Sequence, residues 1–210
     1  MSDRSPRNRV AAYAIASAFV AGVLLETAVL AYKFAADPSF VFLVSSHGAQ
    51  WIREPRPMEI ALLAEGIDTT TFEKRFTVIT PPLDARLHIR ALETATVYLD
   101  GQPIHADPPA SDTWKRWREV DLTPLLQEGP HTLAFVVAHD SGPPFVQAYS
   151  ESLGLFTGPD WMATRDGESW SAAIGADRIP PVPGSRAFPS AFTSLVRALP
   201  LLVVVFALGA

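Results

Sequence analysis

The chain has 210 residues, a formal net charge of −5 and 17 Lys and Arg against 22 Asp and Glu, with no basic run in the region expected to fold, so nucleic acid is excluded as an expected partner. It has no cysteine, which rules out a disulfide scaffold, a thiol nucleophile and cysteine-ligated metal centres. Its 19 Pro and 12 Gly punctuate apolar stretches and form no low-complexity tract, and the length allows one soluble domain with extra elements.

Residues 1–9, MSDRSPRNR, set Arg4, Arg7 and Arg9 against Asp3 and read as a cytoplasmic N-terminus by the positive-inside rule. Residues 10–32, VAAYAIASAFVAGVLLETAVLAY, hold one charge, Glu26, and as a helix rising about 1.5 Å per residue they cross the roughly 30 Å hydrocarbon core. A cleavable leader is the alternative. The apolar run is longer than a leader core of about 7–15 residues, and no clear A-x-A site follows it. Glu26 lies about a turn and a half from the outer end, where a long side chain can snorkel to water.

Residues 33–58 read as a linker and lead-in, apolar in FVFLV and broken by proline in REPRP. The segment 34–189 is expected outside the cytoplasmic membrane. It keeps 12 Lys and Arg once Arg4, Arg7, Arg9, Lys33 and Arg197 are set aside, and 20 Asp and Glu without Asp3 and Glu26, a net of −8.

From residue 59 to 180 the apolar period changes from helical to alternating. ARLHIRAL puts Ala85, Leu87, Ile89 and Ala91 on one face and Arg86, His88 and Arg90 on the other, the pattern of a half-buried strand. TATVYLDG is a second strand ending at Asp100-Gly101, a dipeptide suited to the positive φ of a hairpin turn. DLTPLL predicts one short helical turn, capped by Asp121 or Thr123 with Pro124 at its first position. TLAFVVAHD, residues 132–140, is β-branched and aromatic and bounded by EGP and SGPP. Short strands separated by turn signals predict a mainly β chain folded as an antiparallel β-sandwich.

Four stretches in order carry a family resemblance: AQWI at 49–52, FEKRFTV at 72–78, ARLHIRALETATVYLDGQPI at 85–104 and WREVDLTPLLQEGPHTLAFVV at 117–137. Together they resemble the galactose-binding-like jelly rolls that serve as accessory β-sandwiches of α-L-rhamnosidases and β-galactosidase-type glycoside hydrolases. The family pattern is a tryptophan-bearing lead-in, an F-x-K-x-F strand, a Y-x-N-G turn and a D-[LIV]-T-x-x-L-x-x-G-x-[NH] strand start. Asp100 stands where the pattern has Asn, a change that keeps the turn geometry. The resemblance covers residues 49–175 and implies a sugar-related setting. It implies no catalysis, because in those hydrolases the catalytic carboxylates sit on a separate barrel.

The residues themselves offer no catalytic constellation. His47, His88, His105, His131 and His139 have no H-x-x-x-H or H-E-x-x-H spacing, so no metal site and no cofactor is expected, and neither Ser141 nor Ser150 sits in a G-x-S-x-G elbow. Aromatic rings that stack on pyranose faces are the remaining chemistry. Trp117 and Trp161 adjoin strand signatures and read as packing. Trp114 with Lys115, Arg116 and His105 forms the candidate ligand set, joined by Trp170, and core packing is the competing reading for each ring.

Residues 181–194 read as a second linker and 195–210 as the start of a second transmembrane helix, whose charge-free part from Ala198 is only about 20 Å long. The expectation is therefore the N-terminal part of a longer polytopic membrane protein, glycosyltransferase-like or a sensor, carrying a sandwich that binds a carbohydrate or a protein partner. A purely structural sandwich, or an accessory domain of a glycan-processing enzyme, is the alternative. The expected partners are the lipid bilayer, a glycan and further transmembrane helices of the same protein.

Overall fold

The computed structural model describes residues 6–37, 43–55, 67–108, 114–140 and 142–176. The predicted second apolar helix, 195–210, and the linker before it lie outside the described residues. Two compact units divide the chain, one containing the N-terminal helix and one spanning Val41–Phe188.

Helix α1 runs Pro6–Ala36. Its Tyr13–Lys33 stretch of 21 residues has a mean hydropathy of 2.0 and is long and apolar enough to cross a membrane, a measure that a signal sequence near the N-terminus also meets. Apolar side chains surround the helix, so no single stripe is available to dock on a soluble core. Thr27 hides its polarity within the helix by donating its hydroxyl to the Val23 carbonyl at 2.8 Å.

The second unit is an antiparallel β-sandwich. Its strands are β1 (Ile52–Arg53), β2 (Asp68–Val78), β3 (Arg86–Ala91), β4 (Thr94–Leu99), β5 (Gln102–Ala106), β6 (Arg118–Asp121), β7 (Gly129–His139), β8 (Val146–Ser150), β9 (Leu155–Phe156), β10 (Met162–Thr164), β11 (Ser171–Ala172) and β12 (Ile174–Gly175). One sheet has the order β12-β1-β8-β3-β6 with β9 beside β8, and the other β11-β10-β2-β7-β4-β5. The long β2–β7 pair runs in register from Asp68 opposite His139 to Val78 opposite Gly129 and forms the spine of the second sheet.

Alternation decides which side chains meet between the sheets. Leu87, Ile89 and Ala91 of β3 are buried together with Ala95, Val97 and Leu99 of β4, as the two-residue period requires. Phe135 stacks on Trp161 at 4.9 Å in the same core, and each such buried ring contributes roughly 1.5–3 kcal/mol by leaving water.

The Asp100-Gly101 turn has φ of 51° and 80°, the two positive values of a tight hairpin, and it joins β4 to β5 as the sequence predicts. Asp100 also anchors the neighbouring strand, accepting the Thr132 N–H at Oδ1 and pairing with His131 Nδ1 at Oδ2, 2.7 Å away. The predicted helical turn is a 3₁₀ turn at Thr123–Leu125, and its cap position is Leu122, not Asp121 or Thr123. The reason is local: the Asp121 carboxylate accepts the Thr123 N–H in a turn of its own, and the Thr123 hydroxyl is taken by the Ala85 N–H.

The sandwich uses residues that read as linker in the sequence. Strand β1 pairs with both β8 and β12, and Gln147 holds the Ala49 carbonyl at 2.7 Å. Arg90 fastens the preceding segment by donating to the Val44 carbonyl at 2.7 Å while both Trp51 and Trp117 flank its guanidinium. Burial pushes that guanidinium down to about 10, which leaves it charged at neutral pH.

Candidate functional site

Strands β10 and β11 form a hairpin whose connection, residues 165–170, reads RDGESW. Asp166 organises it. Its Oδ1 accepts the Thr164 hydroxyl at 2.9 Å, the Glu168 N–H at 2.8 Å and the Ser169 N–H at 2.7 Å. The Ser169 and Glu168 N–H groups, followed by the Thr164 hydroxyl, hold this carboxyl well below the usual carboxylate range. Gly167 completes the bend with φ of 75°, a value that costs a side-chain-bearing residue energy, and its N–H donates to Thr164 Oγ1.

This locked loop presents Trp170. The indole N–H donates to the Gly167 carbonyl at 3.2 Å, and the residue remains 37 % exposed. Among the described residues no ring or cation stacks on it. An open cleft of about 570 Å³ is lined by Glu54, Ile67, Thr69, Arg165, Asp166 and Ser169, the last of these adjoining Trp170 in the chain. Arg165 is fixed by its ion pair with Asp68 at 2.8 Å. Three residues of the rigid loop that carries Trp170, namely Arg165, Asp166 and Ser169, thus supply polar groups to this cleft, while the Trp170 ring itself lies outside its lining.

Among the described residues several other aromatic groups pack on one another, while Phe156 is as exposed as Trp170. On the outer face of the β3–β8 sheet, Tyr149 is stacked between His47 at 4.6 Å and His88 at 4.7 Å, with Trp117 edge-on at 5.0 Å. A smaller depression of about 270 Å³ lies at the end of this ladder, between Asp84, Arg86, His88, Tyr149, Glu151 and Ser152. Arg86 there is engaged by Asp84 and Glu119.

Trp114 and Lys115 lie elsewhere. Trp114 is 5 % exposed and meets Trp51 edge-on at 5.9 Å, and Lys115 Nζ lies over its ring at 5.0 Å. Leu92 completes this small core, against which Leu43, Phe145 and Ala176 pack. The Trp114 ring is thus turned to packing. Arg116 is exposed beside it in the chain. His105 lies on β5, the edge of the other sheet, with Nε2 at 3.2 Å from Asp107, whose second oxygen pairs with Arg118. The structure brings Trp114 and Lys115 together, places His105 in a different ion-pair network, and sets Trp170 on its own loop.

Sequence reasoning missed Arg165, Asp166, Ser169 and Glu54. One local signal was available: Thr164-x-Asp166-Gly167 is a side-chain-stabilised turn three residues before a tryptophan. Glu54 and Thr69 had no such signal, because they reach the cleft from the residue after β1 and from β2. Folding also brings one donor atom each of Glu93, His139 and Asp140 within 4.8 Å of the others, a grouping from two separate turns that no sequence spacing displays.

No protein-family model matches the chain, and no curated protein matches it either. Among solved structures, Streptomyces avermitilis α-L-rhamnosidase complexed with L-rhamnose is similar at 21% identity and a TM-score of 0.51, over 70% of this chain and 16% of that one. Aspergillus terreus α-L-rhamnosidase matches at 20% identity and a TM-score of 0.45, over 59% and 18% of the two chains. The apo Pleurotus ostreatus lectin matches at 20% identity and a TM-score of 0.46, over 67% and 46%. The chain therefore spans about a sixth of the Streptomyces enzyme, at 16% of its length, and what the likeness shows is the fold alone, an antiparallel β-sandwich as the sequence predicts.

Proposed function

We propose that the sandwich is a carbohydrate-binding module, carried outside the cytoplasmic membrane by α1 as part of a larger polytopic protein, and that its ligand stacks on Trp170. The observation that carries this reading is the Trp170 ring, 37 % exposed on a loop locked by three hydrogen bonds to Asp166, a loop whose Arg165, Asp166 and Ser169 line a polar cleft. Stacking of a pyranose face on an indole needs an immobile ring with one side open, and orientation needs a few polar groups beside it. Arg165, Asp166, Ser169 and Glu54 supply those groups. The fold shared with part of a rhamnosidase supports a glycan as ligand without determining which one. The arginines before the helix support an N-terminus inside.

A purely structural sandwich is the second reading, favoured by the Trp51–Leu92–Trp114 cluster. Leu43 and Ala176, near opposite ends of the described sandwich, both pack on it, and the Ala176 N–H donates to the Trp51 carbonyl at 2.7 Å. Such a closure suits an insert between two membrane segments. Glycan-array binding by the full chain in lipid nanodiscs, free of glycoside detergents, separates the readings. A saturable hit lost in Trp170→Ala, with the melting midpoint kept, supports the binding module, and silence from a well-folded chain favours the structural role.

A further inference from the structure

We infer that Asp166 sets the charge class of the ligand taken at the Trp170 cleft: a polyhydroxylated ligand that is neutral or bears an ammonium group, and not one bearing a carboxylate or phosphate. This rests on the carbohydrate-binding reading above. Asp166 divides its two oxygens between two tasks. Oδ1 takes the Thr164 hydroxyl and the Glu168 and Ser169 N–H groups, none of which uses Oδ2, and the Ser169 hydroxyl also favours the ionised carboxylate. An ionised carboxylate only accepts hydrogen bonds, so Oδ2 meets sugar hydroxyls or an ammonium as donors and offers nothing to an anionic oxygen.

The rest of the cleft reinforces that choice. Arg165 is the single cation among the lining residues, and its Nη2 is matched by Asp68 Oδ1 at 2.8 Å. Glu54 adds a second carboxylate to the lining, while Thr69 and Ser169 bring hydroxyls, which donate or accept. The three bonds at Oδ1 also keep Asp166 ionised well into acid, so the acceptor character of Oδ2 holds across the ordinary working range. An anionic ligand in the cleft would set its charge against Asp166, and repulsion between like charges a few ångströms apart near a protein surface weakens binding by roughly tenfold or more.

The test titrates the full chain in nanodiscs with D-galactose, D-galactosamine and D-galacturonate, and then with the neutral, amino and uronate oligosaccharides of a glycan array. The neutral and amino members are expected to bind and the uronates to bind at least about tenfold more weakly. Asp166→Asn keeps an oxygen for the three turn bonds and turns the outward atom into an NH₂ donor, so it should shrink or reverse that ratio. Uronates bound as tightly as neutral sugars by the wild-type chain would overturn the assignment while leaving carbohydrate binding intact. An unchanged ratio in a well-folded Asp166→Asn variant would overturn the role of Asp166. Silence toward every saccharide would remove both readings. The wild-type ratio needs no variant, so a folding defect in Asp166→Asn leaves the assignment open to refutation.

Discussion

The Trp51–Trp114 cluster and the Trp170 loop use the same side chain for opposite ends. At the first, two indoles pack edge-on with Leu92 and gather Leu43 and Ala176. At the second, a single indole is held by a hydrogen bond to the backbone of its own loop and left partly in water. The difference lies in what surrounds each ring. Trp114 is met by residues from distant parts of the chain, whereas Trp170 sits on a loop whose internal hydrogen bonds make it rigid without help from a core. Rigidity with exposure suits recognition, and burial suits cohesion.

The comparison breaks most readily at the buried pair. Trp114→Ala is expected to cost about 3–5 kcal/mol through lost burial and a residual cavity, lowering the melting midpoint by about 10 °C or more in a thermal scan. A shift under about 2 °C would mean that the ring is not part of a core. Arg90→Ala should come next, at about 2–3 kcal/mol, since it removes the donor from Gln147 Oε1, one of the two donors from the Val44 carbonyl and the cation from between Trp51 and Trp117. Hydrogen exchange should then speed up in residues 43–51 before the rest of the sandwich, which reports the loss of the fastening specifically.

A smaller effect sharpens the contrast from a third place. Burial opposes the charge on His131, but the Gln127 carbonyl and Asp100 outweigh it and raise the imidazole above its ordinary 6.5. Burial likewise opposes ionised Asp100, and the Thr132 N–H and His131 outweigh it, holding the carboxyl below its ordinary 3.8. The His131 share of stability is complete below pH 6.5 and fades as pH rises through the higher folded value. The Asp100 share is complete above pH 3.8 and fades as pH falls through the lower folded value. The melting difference between wild type and His131→Gln should therefore be largest below pH 6.5 and shrink as pH rises through the higher folded value. A difference that grows toward alkaline pH would contradict the pairing.

Trp170→Ala should do least to stability, within about 0.5 kcal/mol or a degree or two of the melting midpoint, while removing glycan binding measured by calorimetry. If it destabilises as much as Trp114→Ala does, the two regions are not different in kind and the loop belongs to the core.

Much of the sandwich was legible because its signals are local. Alternation in ARLHIRAL fixed which face of β3 is buried, and Asp100-Gly101 marked the hairpin, since both depend on φ, ψ and a two-residue period. The candidate site was legible only in part. Trp170 was named among the ligand residues, yet the weight placed on Trp114, Lys115 and His105 rested on nearness in the chain, and nearness in the chain does not tell which ring another segment will cover. The strand β1 was hidden for the same reason: two residues are too few to show a period, and pairing with β8 and β12 is what makes them a strand.

The sequence by itself determined a long apolar helix, an alternating pattern that folds as an antiparallel β-sandwich, and a turn at Asp100-Gly101, because composition, period and turn chemistry act over a few residues. Only the tertiary structure decided that Trp114 is buried and Trp170 is not, and that Glu54, Thr69, Arg165 and Asp166 share one cleft. Burial and cleft formation are sums over contacts between segments far apart in the chain, and those contacts exist only once both sheets have closed on their common core.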